Sequence, residues 1–320
     1  MCEIIPKVSV IIPVYGVERY IKRCAISLFE QTLDDIEYIF IDDCTKDKSI
    51  EILYEVLERY PNRKNQVRIE KMFTNSGQAM VRQRGALMAT GEYIIHCDSD
   101  DWLDLDAYKK LYEKAIEKNY DIVYCDYYRC VESDLKIINQ NNIIDNIDFI
   151  KKILGLEMAA CFWNKLIKRE LYLKYNFYPL KGLNMGEDIA TIVPLIYNTN
   201  NIGYVSMPLY YYVYNPNSVV NNIREKNIED IKYVVELLEK IFCKDKEIPN
   251  EISIYKYRQK SLLLFFSNNK NRNKYSNLWS DLHIKMKDVG FKYWFIEKCN
   301  NTNFTHFIGM LLYKICQTIK

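Results

Sequence analysis

Residues Val8–Val14, VSVIIPV, form a nearly unbroken apolar run, and this run constrains the fold more than any other feature. A strand apolar at every position must be buried on both faces, as happens in parallel sheets covered by helices. Pro13 suits the end of such a strand, where a missing N–H is tolerated. The segments that follow have matching periodicities. Val17–Gln31 places Tyr20, Ile21, Cys24 and Leu28 on one helical face. Ile36–Ile41 reads as a second strand, and Asp47–Tyr60 as a second helix stopped by Pro61. Val67–Met72, Gly77–Ala89, Glu92–Cys97, Leu105–Lys118 and Asp121–Cys125 continue as strand, helix, strand, helix, strand. Such alternation predicts an α/β domain with a mainly parallel central sheet.

After Cys125 the pattern is less regular. Asn146–Leu156 reads as a helix, Trp163–Tyr175 as a short strand and helix, Gly186–Tyr197 as a helix, and Ile202–Tyr214 as a strand. Beyond Asn221 the chain reads as mostly helical, so the expected division is a catalytic-type α/β domain over 1–220 and a helical region over 221–320.

The formal net charge of +2 is too small to mark a nucleic-acid binder, and no nucleic-acid partner is expected. The charge is unevenly placed: residues 221–320 hold 18 Lys and Arg against 11 Asp and Glu, and the rest of the chain is slightly acidic. Ten cysteines are scattered without a CxxC, and there are only three histidines, which disfavours structural zinc. Met1–Lys7 lacks the charged start and apolar run of a secretion signal, so reduced thiols and a cytoplasmic location are expected. No stretch approaches the roughly 18–20 apolar residues of a membrane-spanning helix.

In open α/β sheets, ligands bind beyond the carboxyl ends of the strands. Three segments should reach that edge: Pro13-Val14-Tyr15, Asp42-Asp43 and Asp98-Ser99-Asp100-Asp101. The last places three carboxylates within four residues. Their repulsion is relieved by a divalent cation, and hard oxygen ligands suit Mg2+ or Mn2+. Such ions take their remaining ligands from water and phosphates, so the cluster reads as a metal–diphosphate site. The alternative is an acidic helix start, with Asp101 or Asp104 as the cap.

Asp42-Asp43 allows two readings, acceptance of hydrogen bonds from a base or ribose, or capping near Asp47. Glu187-Asp188, after Gly186 and at a helix start, could supply a general base for an alcohol. Taken alone, the helix dipole is the simpler account of that pair. Arg82 and Arg84 fall in the third helix, and Lys165 follows Trp163-Asn164. A cation there would offset diphosphate charge, although each singly reads as part of a solvated face. There is no GxGxxG after a strand, no phosphate-binding GxxxxGK loop and no GxSxG elbow. The 27 tyrosines, including Tyr210-Tyr211-Tyr212, read as strand and core residues.

In order, VSVIIPVYGVERYIKRCAISLFEQT, IEYIFIDDCTKD, NSGQAMVRQRGALMATGEYIIHCDSDDWL, FWNKLIKREL and MGEDIATIVPLIYN resemble the family 2 inverting glycosyltransferases of the GT-A fold. The resemblance is to the bacterial polysaccharide type and covers roughly Lys7–Val220. It implies that Pro13 and Tyr15 border a nucleoside, that Asp43 contacts the base, usually uracil, and that Arg82 belongs to the donor site. Asp98 and Asp100 match the outer positions of a D-x-D motif, with Ser99 between them on the donor side. Asp100 is then the metal ligand, and Asp98 a ribose or metal-shell contact. Asp188 matches the general base, Glu187 a residue that orients the acceptor, and Trp163 and Lys165 lie on the acceptor side. Two departures stand out. Cys44-Thr45 replace the usual glycine and serine, and Val213 stands where a basic residue often follows the aromatic run.

The implied reaction is inverting transfer of a hexosyl or N-acetylhexosaminyl group. The donor would be a UDP-linked nucleotide sugar and the acceptor a hydroxyl of a glycan or lipid-linked molecule, with Mn2+ or Mg2+ as cofactor. Cell-surface or capsular polysaccharide synthesis would be the setting. Three rivals exist. A sugar nucleotidyltransferase would carry a glycine-rich loop where PVYGVERY stands. A polyprenyl-phosphate sugar synthase shares the D-x-D region but fits the later E-D region less well. A non-catalytic nucleotide-sugar-binding protein has no need of the intact acidic cluster and Asp188. The segment Phe304–Lys320 places Ile308, Leu311, Leu312, Ile315 and Ile319 on one helical face, near Lys314 and Lys320. Such a helix either rests on an anionic membrane surface, at the inner face of the plasma membrane, or packs on the body.

Overall fold

The computed structural model describes residues 5–215, 225–266, 275–280, 282 and 284–298. The Phe304–Lys320 segment lies outside the described residues. The first half of the chain forms β1 (Val8–Val14), α1 (Ile21–Phe29), β2 (Ile36–Asp42), α2 (Ser49–Leu57), β3 (Val67–Lys71), α3 (Gln78–Met88) and β4 (Tyr93–His96). It continues through β5 (Trp102–Leu103), α4 (Ala107–Glu117), β6 (Ile122–Val131), β7 (Asp134–Ile138) and α5 (Asn146–Leu154). Then come β8 (Lys165–Lys168), α6 (Arg169–Tyr175), α7 (Glu187–Tyr197) and β9 (Ile202–Val213). The described remainder is helical: α8 (Glu225–Ile241), α9 (Ile248–Phe266), α10 (Met286–Val289) and α11 (Phe291–Lys298).

One sheet holds all these strands, in the order β3-β2-β1-β4-β8-β6-β9-β5, with β7 on β6. The β3-β2-β1-β4 half is parallel throughout. Strand β8 enters antiparallel between β4 and β6, while β6 and β9 are parallel to each other. Two short elements, β5 and the β6–β7 hairpin, add antiparallel pairs that the sequence periodicity did not reveal.

Both faces of β1 are buried, as its apolar run requires. Val8, Val10, Ile12 and Val14 share a core with Ile21, Cys24, Leu28 and Phe29 of α1 and with Tyr38 and Phe40 of β2. Ile11 points the other way, towards α3. A Cβ added at Gly85 would lie 2.4 Å from Ile11 Cγ2, so glycine there lets α3 approach the sheet.

The described residues group into two compact units, one within 1–149 and 159–234, the other within 150–158 and 235–320. The second unit has its own small core of Ile254, Tyr257 and Val289. Among the described residues, no helix is long and apolar enough to cross a membrane.

Candidate active site

The ends of β1, β2 and β4 meet at one edge of the sheet. Val14 pairs with Asp42 in register, and the Asp43 amide donates to the Val14 carbonyl at 3.0 Å. The Ser99 hydroxyl donates to the Pro13 carbonyl at 2.6 Å, tying the acidic loop after β4 to the end of β1.

Within that loop the three aspartates have different surroundings. Asp101 is buried and accepts from the Tyr210 hydroxyl at 2.7 Å and from the Val213 amide at 2.7 Å. Burial, with Asp100 and Asp98 nearby, pushes its carboxyl well above the usual range. Of the two expected caps, Asp104 stands at the entry to the next helix, where its Oδ1 accepts from the Asp106 amide at 3.1 Å, whereas Asp101 does not cap it. Helix α4 begins at Ala107, and Asp101 anchors β9 instead.

The Asp100 carboxyl is pushed up to about 6, by burial first and by Asp98 second. Its backbone carbonyl accepts from Arg23 Nη2 at 3.1 Å, and that guanidinium lies 3.7 Å over the Trp102 ring. Asp98 accepts from Arg82 Nη2 at 2.7 Å and from Gln78 Nε2 at 3.3 Å.

Arg82 is buried on α3 and joins two distant parts of the chain. Its Nη2 reaches Asp98, and its Nη1 donates to Glu187 Oε1 at 2.5 Å. Burial alone would lower its pKa, but Asp98 and Glu187, aided by Asp188, outweigh that and hold it charged. At Glu187 the balance runs the other way. Burial raises its carboxyl above the ordinary range, Arg82 opposes this, and Asp188 adds to it. Asp188 is half-buried at the start of α7, where Gly186 adopts φ +81°. Behind Arg82 lies the Phe162 ring, 5.3 Å from the guanidinium carbon, and His96 packs on that ring at 4.6 Å. His96 is buried, and burial holds it well below its usual pKa, so it is neutral.

The remaining expected residues fall into two groups. Asp43 is buried, and both its oxygens are engaged by the loop before α3: Ser76 N at 2.6 Å and Gly77 N at 2.9 Å. Its partners thus lie in the loop leading into α3, far along the chain, and not in the helix after Asp47. Tyr15 is 52% exposed at the edge, beside Pro13.

Trp163 and Lys165 are core residues. Trp163 stacks on Tyr210 with centroids 4.3 Å apart. The Lys165 ammonium is buried and donates to Ala159 O at 2.6 Å, Cys161 O at 3.1 Å and Asn164 Oδ1 at 2.9 Å. An ammonium has three N–H donors, so none is left for a diphosphate. Lys165 holds the 159–164 turn in place of offsetting leaving-group charge.

Sequence reasoning passed over Gln78, Arg23 and Tyr210. Tyr210 sat in an aromatic triplet that reads as plain strand, and only its pairing with the acidic loop distinguishes it. Of the two departures, Thr45 keeps a hydroxyl that accepts from the Gly16 amide at 2.9 Å, while Cys44 takes φ +59°. Val213 supplies its amide, not its side chain, to Asp101.

Among the described residues, no three His, Cys, Asp or Glu side chains converge as a closed metal site. The Asp98–Asp100 pair still fits a divalent cation. Asp100 is a carboxyl raised by burial and by a like charge, which an ion would relieve. Two carboxylates suffice for Mg2+ or Mn2+ when water and phosphate complete the shell.

A mixed α/β sheet with acidic loops at the carboxyl ends of its strands, and a helical region after it, is the GT-A architecture. TarS 1–349 of S. aureus in complex with UDP-GlcNAc superposes with a TM-score of 0.69 at 18% identity, covering 96% of this chain and 89% of that one. The mannosyltransferase PcManGT from Pyrobaculum calidifontis, in complex with GDP-Man and Mn2+, superposes with a TM-score of 0.53 at 14% identity, covering 97% and 88%. Residues 9–175, just over half of the chain, match Glycosyl transferase family 2, and the chain belongs to that family. EpsH of Bacillus subtilis (strain 168) is 30% identical over 233 residues, 70% of this chain and 65% of its own length. The matched residues include Pro13, Asp43, Arg82, Asp98, Asp100 and Lys165 but end before Glu187 and Asp188.

Proposed function

We propose that this chain is an inverting glycosyltransferase that moves a sugar from a UDP-linked donor to a hydroxyl of a glycan or lipid-linked acceptor in polysaccharide synthesis. The observation that carries this reading is the approach of two carboxylate sets across the sheet edge. Asp98 and Asp100 lie on one side, Glu187 and Asp188 on the other, with Arg82 between them. The setting of polysaccharide synthesis draws on the resemblance of the ordered motifs to polysaccharide-type family 2 enzymes. The choice of UDP draws on the nucleotide held by TarS, and that of Mn2+ on the ion in the mannosyltransferase complex.

In this reading Tyr15 and Pro13 border the nucleoside. Asp43 keeps spare lone pairs for the base, since each carboxylate oxygen has two and the structure assigns one bond to each. Ser99 fixes the acidic loop against β1, and Asp98 and Asp100 face the diphosphate. A divalent cation held by Asp100 and Asp98 would offset the negative charge that grows on the leaving diphosphate. Asp188 accepts the proton of the acceptor hydroxyl. The oxygen bonds to the anomeric carbon on the face opposite the nucleotide, the bond to the diphosphate breaks, and configuration inverts. Glu187 orients the acceptor side of the site.

A panel of nucleotide sugars, each incubated with the protein and Mn2+ or Mg2+, tests the proposal through release of free nucleotide. The expected outcome is metal-dependent release from one UDP-sugar, increased by a glycan or lipid-linked hydroxyl acceptor. Tight UDP binding without release from any donor would favour the non-catalytic reading.

A further inference from the structure

We infer that Arg82 is a positioning residue that fixes the distance between the donor-side aspartate Asp98 and the base-bearing start of α7, instead of a direct contact to the donor diphosphate. This deepens the proposed function and rests on it. Each terminal nitrogen of buried Arg82 gives one N–H to a different carboxylate, Nη2 to Asp98 at 2.7 Å and Nη1 to Glu187 at 2.5 Å, while its Nε is buried without a partner. The two carboxylates come from segments 89 residues apart, the loop after β4 and the first turn of α7. Among the described residues neither segment contributes to the other's backbone hydrogen bonding, and the guanidinium fork links them. A planar fork with two parallel donors holds two acceptors at a fixed span, which a lysine ammonium does not.

The surroundings keep the fork in place. Arg82 is buried, its guanidinium carbon faces the Phe162 ring at 5.3 Å, and neutral His96 packs behind that ring. Moving Arg82 onto a diphosphate would strip cationic partners from Asp98 and from a buried Glu187 at once. Leaving a buried charge unpaired is strongly unfavourable, so the arrangement resists that move. Asp188 adjoins Glu187 in the same turn, and a fixed Glu187 therefore fixes where the proposed base stands relative to Asp98.

Two measurements test this. The first is a double-mutant cycle of Asp98→Asn and Glu187→Gln by urea unfolding, without ligand. Either single change leaves Arg82 one carboxylate, but the pair of changes leaves it none. The expected loss in the double variant exceeds the sum of the singles, and the excess disappears when the cycle is repeated on Arg82→Gln. Additive losses in the presence of Arg82 would overturn the inference. The second compares kcat with the Kd for UDP. Arg82→Lys and Glu187→Gln should each lower kcat by about 10- to 100-fold, the scale of a small misplacement of reacting groups, with UDP affinity changed by less than about 3-fold. A tenfold weakening of UDP binding in Arg82→Lys, with Glu187→Gln unaffected, would make Arg82 a diphosphate contact and refute the inference. Absence of turnover in the unaltered protein counts against the glycosyltransferase reading instead, and the unfolding cycle still decides the role of Arg82 in linking the two segments.

Discussion

The Tyr210 hydroxyl donates to Oδ2 of Asp101 at 2.7 Å, joining residues 109 positions apart. The same hydroxyl accepts from the Asp98 amide at 3.1 Å, so one tyrosine holds two points of the acidic loop. Tyr210→Phe keeps the stack on Trp163 and removes only the oxygen. Buried Asp101 then keeps the Val213 amide alone. The expected cost is about 1–3 kcal/mol of stability, the usual penalty for a buried acceptor losing its donor. Urea unfolding measures it, and an unchanged midpoint would show that the loop is held by other bonds.

Asp188→Asn should preserve UDP binding and lower transfer by about 10²- to 10⁴-fold, the range of a lost general base. Isothermal titration and a transfer assay separate the two effects. Near-normal transfer would remove Asp188 from the mechanism.

Stability should depend on pH through Asp100. Its carboxyl titrates at about 6 in the folded protein, above the ordinary aspartate value near 4. Between those values the folded state holds more protons than the unfolded chain, so stability contributed by this group is present at low pH and lost as pH rises through about 6. A bound cation would reverse the loss once Asp100 is ionised. Millimolar Mn2+ should therefore raise the melting temperature at pH 7.5 but not at pH 5. Asp100→Asn should raise the metal-free melting temperature at pH 7.5 and abolish the response to Mn2+. An equal Mn2+ response in that variant would place the ion elsewhere.

Gly85→Ala tests the close approach of α3 to β1. The added Cβ would stand 2.4 Å from Ile11 Cγ2, so Ile11 or the helix that carries Arg82 must shift. Overpacking of this kind costs about 1–3 kcal/mol. Calorimetry reads the stability loss, and if α3 shifts, Arg82 moves with it and kcat should fall.

The sequence alone determined the strand and helix succession, because burial on two faces writes a continuous apolar run at β1 and a 3.6-residue stripe at α1. It also determined which segments end at one shared edge of the sheet, since parallel strands share their carboxyl ends. The antiparallel entry of β8 and the short β5 were not legible, because pairing partners are chosen across the fold and leave no local period. The tertiary structure alone decided how the charged residues divide their work. Asp101 became an anchor for Tyr210 and Val213, Lys165 a clasp on its own turn, and Asp43 a clamp on the loop before α3. Each outcome depends on which partners burial brings within hydrogen-bond reach, and a chain position carries no record of that. Arg82 is the clearest case. In the sequence it is one of two arginines on a helix, and only folding brings Asp98 and Glu187 to its two ends.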